Sequence, residues 1–475
     1  MDKITFAYKG RYFVRDTNTI EYLSAIAKGY GYSTGLVYDQ DIFGVTDNVF
    51  YMPIINKMFS SENNVAKKIA KVKPEYVVFI ENFGNLKWIE NISRNLKAIN
   101  DKAKIIIIRP LERKETAVKY DYLLTGEPEN VFADFLRDKG LRNIDSEKLA
   151  DLNTLPLPDK DIFSQYINFS DSYMTYTGKG CAGSCSYCEE TAYKNEYSSR
   201  YCRRRSPENV ISELVWAKKK FNFKEVIFKD SVFTIDALWL KKFLKSYREE
   251  IAVPFKCFGK ADAVDENIIK DLKNSGCYCI EFGVQTLNEE IRKNVLFRKE
   301  KTEQIKSILE ICGQHELKYD VDHMFGLPYE KLEDHIKAAE FYSNLKSLNR
   351  IKCHNLTYYP KAEILRFAAQ SGDIDEKLIE KISRGEISDF FAKPQKQAMM
   401  KENACFRKLF KIMPLMTRET NSFIIVKGFW KLFSYIPNIF IVFLQLILAL
   451  RRNDLRFKIY FKQYPKKMLS FVTQG

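Results

Sequence analysis

Cys181, Cys185 and Cys188 fall within eight positions of the stretch GKGCAGSCSYCEE, residues 178–190, in a chain with ten cysteines among 475 residues. An odd number of thiols cannot pair off among themselves. Spaced C-x3-C-x2-C on one loop, however, three thiolates can converge on one metal centre. Gly180 and Gly183 let the backbone fold tightly, and Ala182, Ser184 and Ser186 keep the loop small. A structural zinc takes a fourth Cys or His. The four histidines (His315, His323, His335 and His354) lie far downstream, which leaves Cys202 as the neighbouring candidate. An iron–sulfur cubane held by three cysteines instead leaves one iron open to a substrate or cofactor. The bland alternative is three independent small core residues.

The elements around this turn read as alternating strands and helices. Strand patterns at 173–179, 224–230, 254–261, 277–284, 317–326 and 350–358 are separated by helical runs. Ser206 before Pro207 marks one helix start, and Asp265 caps a run that stops at Gly276. Six βα units predict an open, partial (β/α)6 barrel, with the cysteine turn directly after its first strand, at the end where such barrels place their chemistry. Upstream, KITFAYK, STGLVYD, EYVVFIEN, KIIIIRP and DYLLTGE read as five strands of a Rossmann-like doubly wound α/β domain. Val65, Ile69 and Val72 mark one of its helices, and Pro128 opens the last. The proline-bearing DLNTLPLPDKDIF then predicts a connector. The expected organisation is a domain over 1–140, a linker over 141–172, the barrel over 173–375 and a mainly helical extension over 376–475.

Hydrophobic content of 45 % and charged content of 29 % are those of a folded globular chain. The strand-like MDKITFAYKG lacks the apolar core of a signal peptide, so a cytoplasmic protein with reduced thiols is expected. The net charge of +15 is concentrated at one end: residues 381–475 hold 18 Lys and Arg against 5 Asp and Glu, a balance of +13. A uniformly basic nucleic-acid binder would not look like this, and no nucleic acid is expected. The same region carries 19 uncharged residues, LFSYIPNIFIVFLQLILAL, with Pro437 at a helix start. Such a run is buried in protein, lies on a membrane or just reaches spanning length. An anionic membrane surface, at the inner face of the membrane, is the expected partner.

C-x3-C-x2-C with an aromatic, Tyr187, before the third cysteine resembles the signature of the radical S-adenosylmethionine (radical SAM) superfamily. The resemblance implies a 4Fe–4S cluster on Cys181, Cys185 and Cys188, and S-adenosylmethionine on the open iron. It further implies one-electron cleavage to a 5′-deoxyadenosyl radical, with a reductant such as flavodoxin or ferredoxin as partner. VIFKDSVFT resembles the second-strand end that contacts the methionine part, which implies Asp230 and Ser231; a helix cap is the bland role for Asp230. IEFGVQT resembles the fourth-strand motif and implies Gln285 at the ribose, against a local turn contact. MFGLPYE resembles the turn beside adenine and implies Gly326. Arg203, Arg204 and Arg205 read as a solvated face or carboxylate partners. Cys257, Cys277 and Cys279 read as buried small residues rather than a second cluster, and His323 as a core histidine or a pocket-lining one.

The order of parts is similar to the cobalamin-binding subgroup of that superfamily, and TGEPENVFADF resembles its GEGE turn. The D-x-H-x-x-G motif is absent: DQDIFG (39–44) has Asp41 in the histidine position and follows the second strand, so any cobalamin would lack a histidine lower ligand. IIIIRPLERKET lacks the glycine pair of that domain. A degenerate domain that shapes the substrate site is the alternative. The expectation is cobalamin-assisted methylation or rearrangement at an unactivated C–H bond of a small-molecule or lipid-linked substrate. Methylthiolation or oxidative cyclisation without cobalamin, and a non-catalytic iron–sulfur protein, are the alternatives.

Overall fold

The computed structural model describes residues 3–11, 18–41, 62–111, 118–138, 143–384, 399–451 and Pro465. Two six-stranded parallel sheets organise the chain. The first is built from β1 (Lys3–Arg11), β2 (Ser33–Asp41), β3 (Tyr76–Ile80), β4 (Lys104–Arg109), β5 (Tyr122–Gly126) and β6 (Asn143–Ser146), in the order β2-β1-β3-β4-β5-β6. Ile105, Ile106, Ile107 and Ile108 are all fully buried, as expected for a strand covered on both faces. The five strands read from the sequence are present. The sixth, β6, lies inside the stretch read as linker. It is a short edge strand whose Ile144 is its one buried residue, so it carries no strand pattern. Gly126 permits the approach of β6: its φ is +134° and a Cβ there would lie 2.3 Å from the Ser146 carbonyl oxygen.

The second sheet is the partial barrel: β7 (Tyr173–Thr175), then, after the short strands β8 (Gly178–Lys179) and β9 (Arg203–Arg204), β10 (Val226–Phe228), β11 (Phe255–Gly259), β12 (Cys277–Gln285), β13 (Lys318–Phe325) and β14 (Leu348–Asn355). Its order, β7-β10-β11-β12-β13-β14, is sequential and parallel. Between the strands, Ser206 caps the helix Pro207–Phe221 by accepting from Asn209 N, and Asp265 caps Glu266–Asn274 by accepting from Ile268 N. Val65 and Ile69 are buried on the helix Glu62–Lys71, whereas Val72 falls past its end and is exposed.

One face of the first sheet shares a core with the barrel. Phe6, Ile106 and Phe132 join through Phe163 and Phe169 to Tyr173 and Phe228 without a break. At the β14 edge of the barrel sheet, the helix Met400–Ile412 packs Phe410 on Phe325 of β13 and Phe406 on His335 of the helix Leu332–Ser343. Helices Arg418–Val426 and Asn438–Arg451 follow. The latter has 14 residues, and no helix among the described residues is long and apolar enough to cross a membrane. DLRFKIYFKQY lies outside the described residues.

Candidate active site at the cysteine loop

The cysteine loop leaves β7 at the C-terminal end of the barrel strands. Its base is a two-residue antiparallel ladder, Gly178–Lys179 against Arg203–Arg204. Gly180, with φ +84°, allows the loop to pass Tyr201, whose carbonyl oxygen would lie 2.8 Å from a Cβ. Gly183 sits between two thiols: a Cβ there would lie 3.4 Å from Cys181 Sγ and 3.8 Å from Cys185 Sγ. Gly183 N donates to Cys181 Sγ at 3.3 Å. Burial pushes the Cys181 thiol up and that hydrogen bond partly opposes it; burial also pushes up the Cys188 thiol at the N-cap of the helix Glu189–Tyr197. A thiol held neutral in this way becomes a thiolate when it coordinates a metal.

The loop is tied down on several sides. Lys194 Nζ donates to Ala182 O and Ser184 Oγ, each at 3.0 Å. Thr191 Oγ1 donates to Cys185 O at 2.8 Å, and Ser186 Oγ to Val295 O at 2.5 Å. Among the described residues, no three Cys, His, Asp or Glu side chains gather around one point as ligands of a single ion. Cys202 is exposed. A zinc knot needs such a point, whereas a cubane takes each cysteine on a different iron. Three thiols on one loop, with Cys202 exposed, match in number the three protein ligands of a cubane that keeps one iron open.

The remaining residues singled out in the sequence lie at the same end of the barrel but do different things. Tyr187 packs with Val295, Leu296, Met324 and Leu327, and its hydroxyl accepts from Arg298 Nη1 at 3.3 Å. Asp230, at the end of β10, caps no helix. Its carboxylate accepts from Thr177 N at 3.0 Å and from Thr177 Oγ1 at 2.5 Å, which fixes the exit of β7. Burial raises its pKa, with Arg204 at 4.0 Å opposing. Ser231 Oγ donates to Glu190 Oε1 at 3.0 Å, two residues after Cys188, and burial pushes the Glu190 carboxyl above its usual range. Gln285 ends β12 at φ +66°, and its amide folds back to 2.8 Å from where a Cβ on Gly283 would stand. A left-handed non-glycine residue at a strand end is a strained position. Gly326, with φ +78°, donates its N–H to Glu330 Oε2 at 2.8 Å.

The arginine run is a set of carboxylate partners rather than a solvated face. Arg203 forms a fork with Glu127 of the GEPE turn, and Lys179 reaches Glu129 at 2.6 Å and Glu127 at 3.4 Å. Arg205 pairs with Glu213 at 2.6 Å, and Arg204 stacks over Trp239. Cys257, Cys277 and Cys279 are buried, with Cys257 and Cys277 sulfurs 3.9 Å apart. His323 is a core histidine: Nδ1 lies 3.1 Å from the Tyr342 hydroxyl and its ring packs on Phe410. The sequence reading missed Lys194, Arg298 and the buried Lys160–Glu21 pair, each in a polar stretch where no periodicity singles out one charge.

The two parallel sheets meet at their C-terminal ends. Phe83, just past β3, packs on Tyr359, just past β14, with ring centroids 5.3 Å apart. The Tyr197 hydroxyl bonds to Pro110 O beyond β4. Asp39 accepts from Trp88 Nε1 at 2.7 Å, and Glu81 pairs with Arg109 at 2.7 Å. Asp41 ends β2, and the loops that follow β1, β2 and β4 at this end lie outside the described residues.

Residues 175–342 match the Radical SAM superfamily. Among curated proteins, an uncharacterized methyltransferase of Pyrococcus horikoshii is 23% identical over 149 residues, covering 30% of this chain and 31% of that protein. A putative methylthiotransferase of Methanocaldococcus jannaschii is 25% identical over 222 residues, covering 43% and 46%. The chain thus spans less than half the length of either. A solved structure of the radical S-adenosylmethionine methyltransferase TsrM from Kitasatospora setae, with cobalamin and a 4Fe–4S cluster bound, matches with a TM-score of 0.57 at 12% identity over 79% of each chain. The family match falls on the barrel and takes in the cysteine loop. At that identity the likeness to the solved structure is one of fold, and it extends beyond the barrel over 79% of the chain. The radical SAM fold implies a 4Fe–4S cluster and S-adenosylmethionine as cofactors.

Proposed function

We propose that the protein is a radical SAM methyltransferase, with its cluster on Cys181, Cys185 and Cys188. The observation that carries this reading is the placement of three thiols on one tethered loop at the C-terminal end of a six-stranded parallel barrel, two of them facing each other across Gly183. Cys181, Cys185 and Cys188 would hold the cluster, whose chemistry would be one-electron reduction, drawn from a flavodoxin or ferredoxin, that splits S-adenosylmethionine for hydrogen abstraction from substrate; a second S-adenosylmethionine would supply the methyl group.

The chain's own residues position and shield that chemistry. Lys194, Thr191 and Ser186 hold the loop backbone in place, and Tyr187 with the apolar cluster beneath it keeps water from one side. Ser231 and Glu190 are assigned to the methionine end of S-adenosylmethionine, Gln285 to its ribose and Gly326 to its adenine. Asp230 is a positioning residue, because its carboxylate is spent on Thr177. Cobalamin between the two sets of strand ends is the finer part of the proposal and rests on the shared domain arrangement. The described residues there offer no histidine, and the Glu81 and Asp39 side chains are engaged by Arg109 and Trp88.

Anaerobic reconstitution, reduction and addition of S-adenosylmethionine should yield 5′-deoxyadenosine, detected by mass spectrometry. Cys185→Ala should abolish it. Product that persists in the variant, or a reconstituted cluster that never yields it, overturns the assignment. Retention of corrinoid absorbance after gel filtration with added cobalamin tests the finer part. The methylthiotransferase relative favours a second reading, sulfur insertion without cobalamin; a protein that makes 5′-deoxyadenosine yet holds no corrinoid would support it.

A further inference from the structure

The helix Asn438–Arg451 is apolar on two faces, and the protein covers one of them. Ile441 and Val442 are buried, and the helix packs against Met400–Ile412. Ile439, Phe440, Phe443, Leu444, Ile447 and Leu450 are all exposed, between 41% and 58%. At roughly 3.6 residues per turn these six fall within an arc of about 140°. The chain leading into the helix continues the pattern: Leu432 is 54% exposed and Tyr435 77%. Phe423 and Phe429, both exposed, pack together with centroids 5.3 Å apart and their rings tilted by 42°. Single exposed apolar residues need no explanation, but a run of large ones does.

Its charge surroundings indicate what covers it. Lys427 and Lys431 are exposed beside the apolar side chains, and Arg451 ends the helix. The +13 balance of residues 381–475 contrasts with +2 over the rest of the chain. An uncharged protein partner would gain nothing from that balance, whereas a surface of anionic phospholipid headgroups over acyl chains matches both features. Fourteen residues are too few to span a bilayer, so a helix already anchored along one side can only lie in the membrane plane. We propose that the outer face of residues 423–450 docks the protein onto an anionic membrane surface. This holds whatever reaction the barrel performs.

Flotation of the full chain with phosphatidylcholine vesicles, with and without phosphatidylglycerol, tests it. The wild-type chain should float with the anionic vesicles. The variant F440S/F443S/I447S, altered only at exposed positions, should bind at least tenfold more weakly while keeping the wild-type melting temperature. K427E should weaken binding several-fold and reduce the preference for phosphatidylglycerol. Absence of binding, or equal binding by the triple variant, overturns the proposal. So does a triple variant that turns a dimer into a monomer where the wild type never floats, which would assign the face to a second copy. A chain ending at Arg451 that floats when the full chain does not would assign it to residues 452–475.

Discussion

The two edges of the barrel sheet are covered by opposite chemistries. Next to β7 the seam with the N-terminal domain is built from buried charge. Lys160 Nζ, fully buried, donates to Glu21 Oε2 at 2.7 Å and to the β7 carbonyl of Met174 at 3.0 Å. Glu213 accepts from Tyr173, Thr175 and Arg205. Next to β14 the seam with the C-terminal extension is aromatic: Phe410 packs on His323 and Phe325, and Phe406 on His335 and Trp430. Buried charges tolerate only one register, because a mispaired ion loses its water without gaining a partner. Apolar side chains accept a near neighbour at small cost. The difference assigns orientation to the β7 seam and burial to the β14 seam.

Removing one charge should break the first seam most severely. Lys160→Ala leaves Glu21 buried without its cation, and thermal or urea unfolding should report a loss of about 3–5 kcal/mol. The double variant Lys160→Met with Glu21→Leu should recover much of it; if it does not, the pair does more than neutralise itself. Phe410→Ala should cost about 3 kcal/mol by opening a cavity beneath the extension. Limited proteolysis should then release the extension before the N-terminal domain.

Acid should separate the seams by pH. Burial, with His335 adding to it, holds the His323 pKa well below 6.5. The unfolded chain therefore binds a proton below about pH 6.5 that the folded chain refuses. Stability is fully present above that pH and falls as pH drops, by up to about 1.4 kcal/mol per pH unit. In the β7 seam, burial opposes ionisation of Glu127 and Glu213. Lys179 and Arg203 around the first, and Arg205 and Lys160 around the second, outweigh it and hold both carboxyls below their usual range. Their contribution persists until pH falls below about 4.5. Urea melts of His323→Phe should lose the slope between pH 6.5 and 5 and keep the steeper decline below it. An unchanged slope would remove His323 from the account.

Local signals in the sequence predicted most of the scaffold. The cysteine spacing, the order of the strands and the caps at Ser206 and Asp265 are each written in a few adjacent residues. What was illegible is what distance creates. Lys160 and Glu21 are 139 positions apart, and either alone reads as a solvated charge. Asp230 bonds Thr177 across 53 positions, so its side chain looks available for a ligand until β7 is placed beside β10. β6 has one buried apolar residue and exists because β5 and Gly126 offer it an edge. The outward face of residues 438–451 was undecidable for a different reason: a run that is apolar all round has no period from which to read which side the protein covers.

The ladder of Gly178–Lys179 on Arg203–Arg204 has a mechanical consequence. One of its strands ends where the cysteine loop begins, and its Lys179 and Arg203 are also the residues that grip Glu127 and Glu129. It acts as a shared axle for two parts. A rotation of the N-terminal domain large enough to strain those grips would pull on the strand one residue from Gly180. A displacement of the N-terminal domain thus has a short lever onto the thiols.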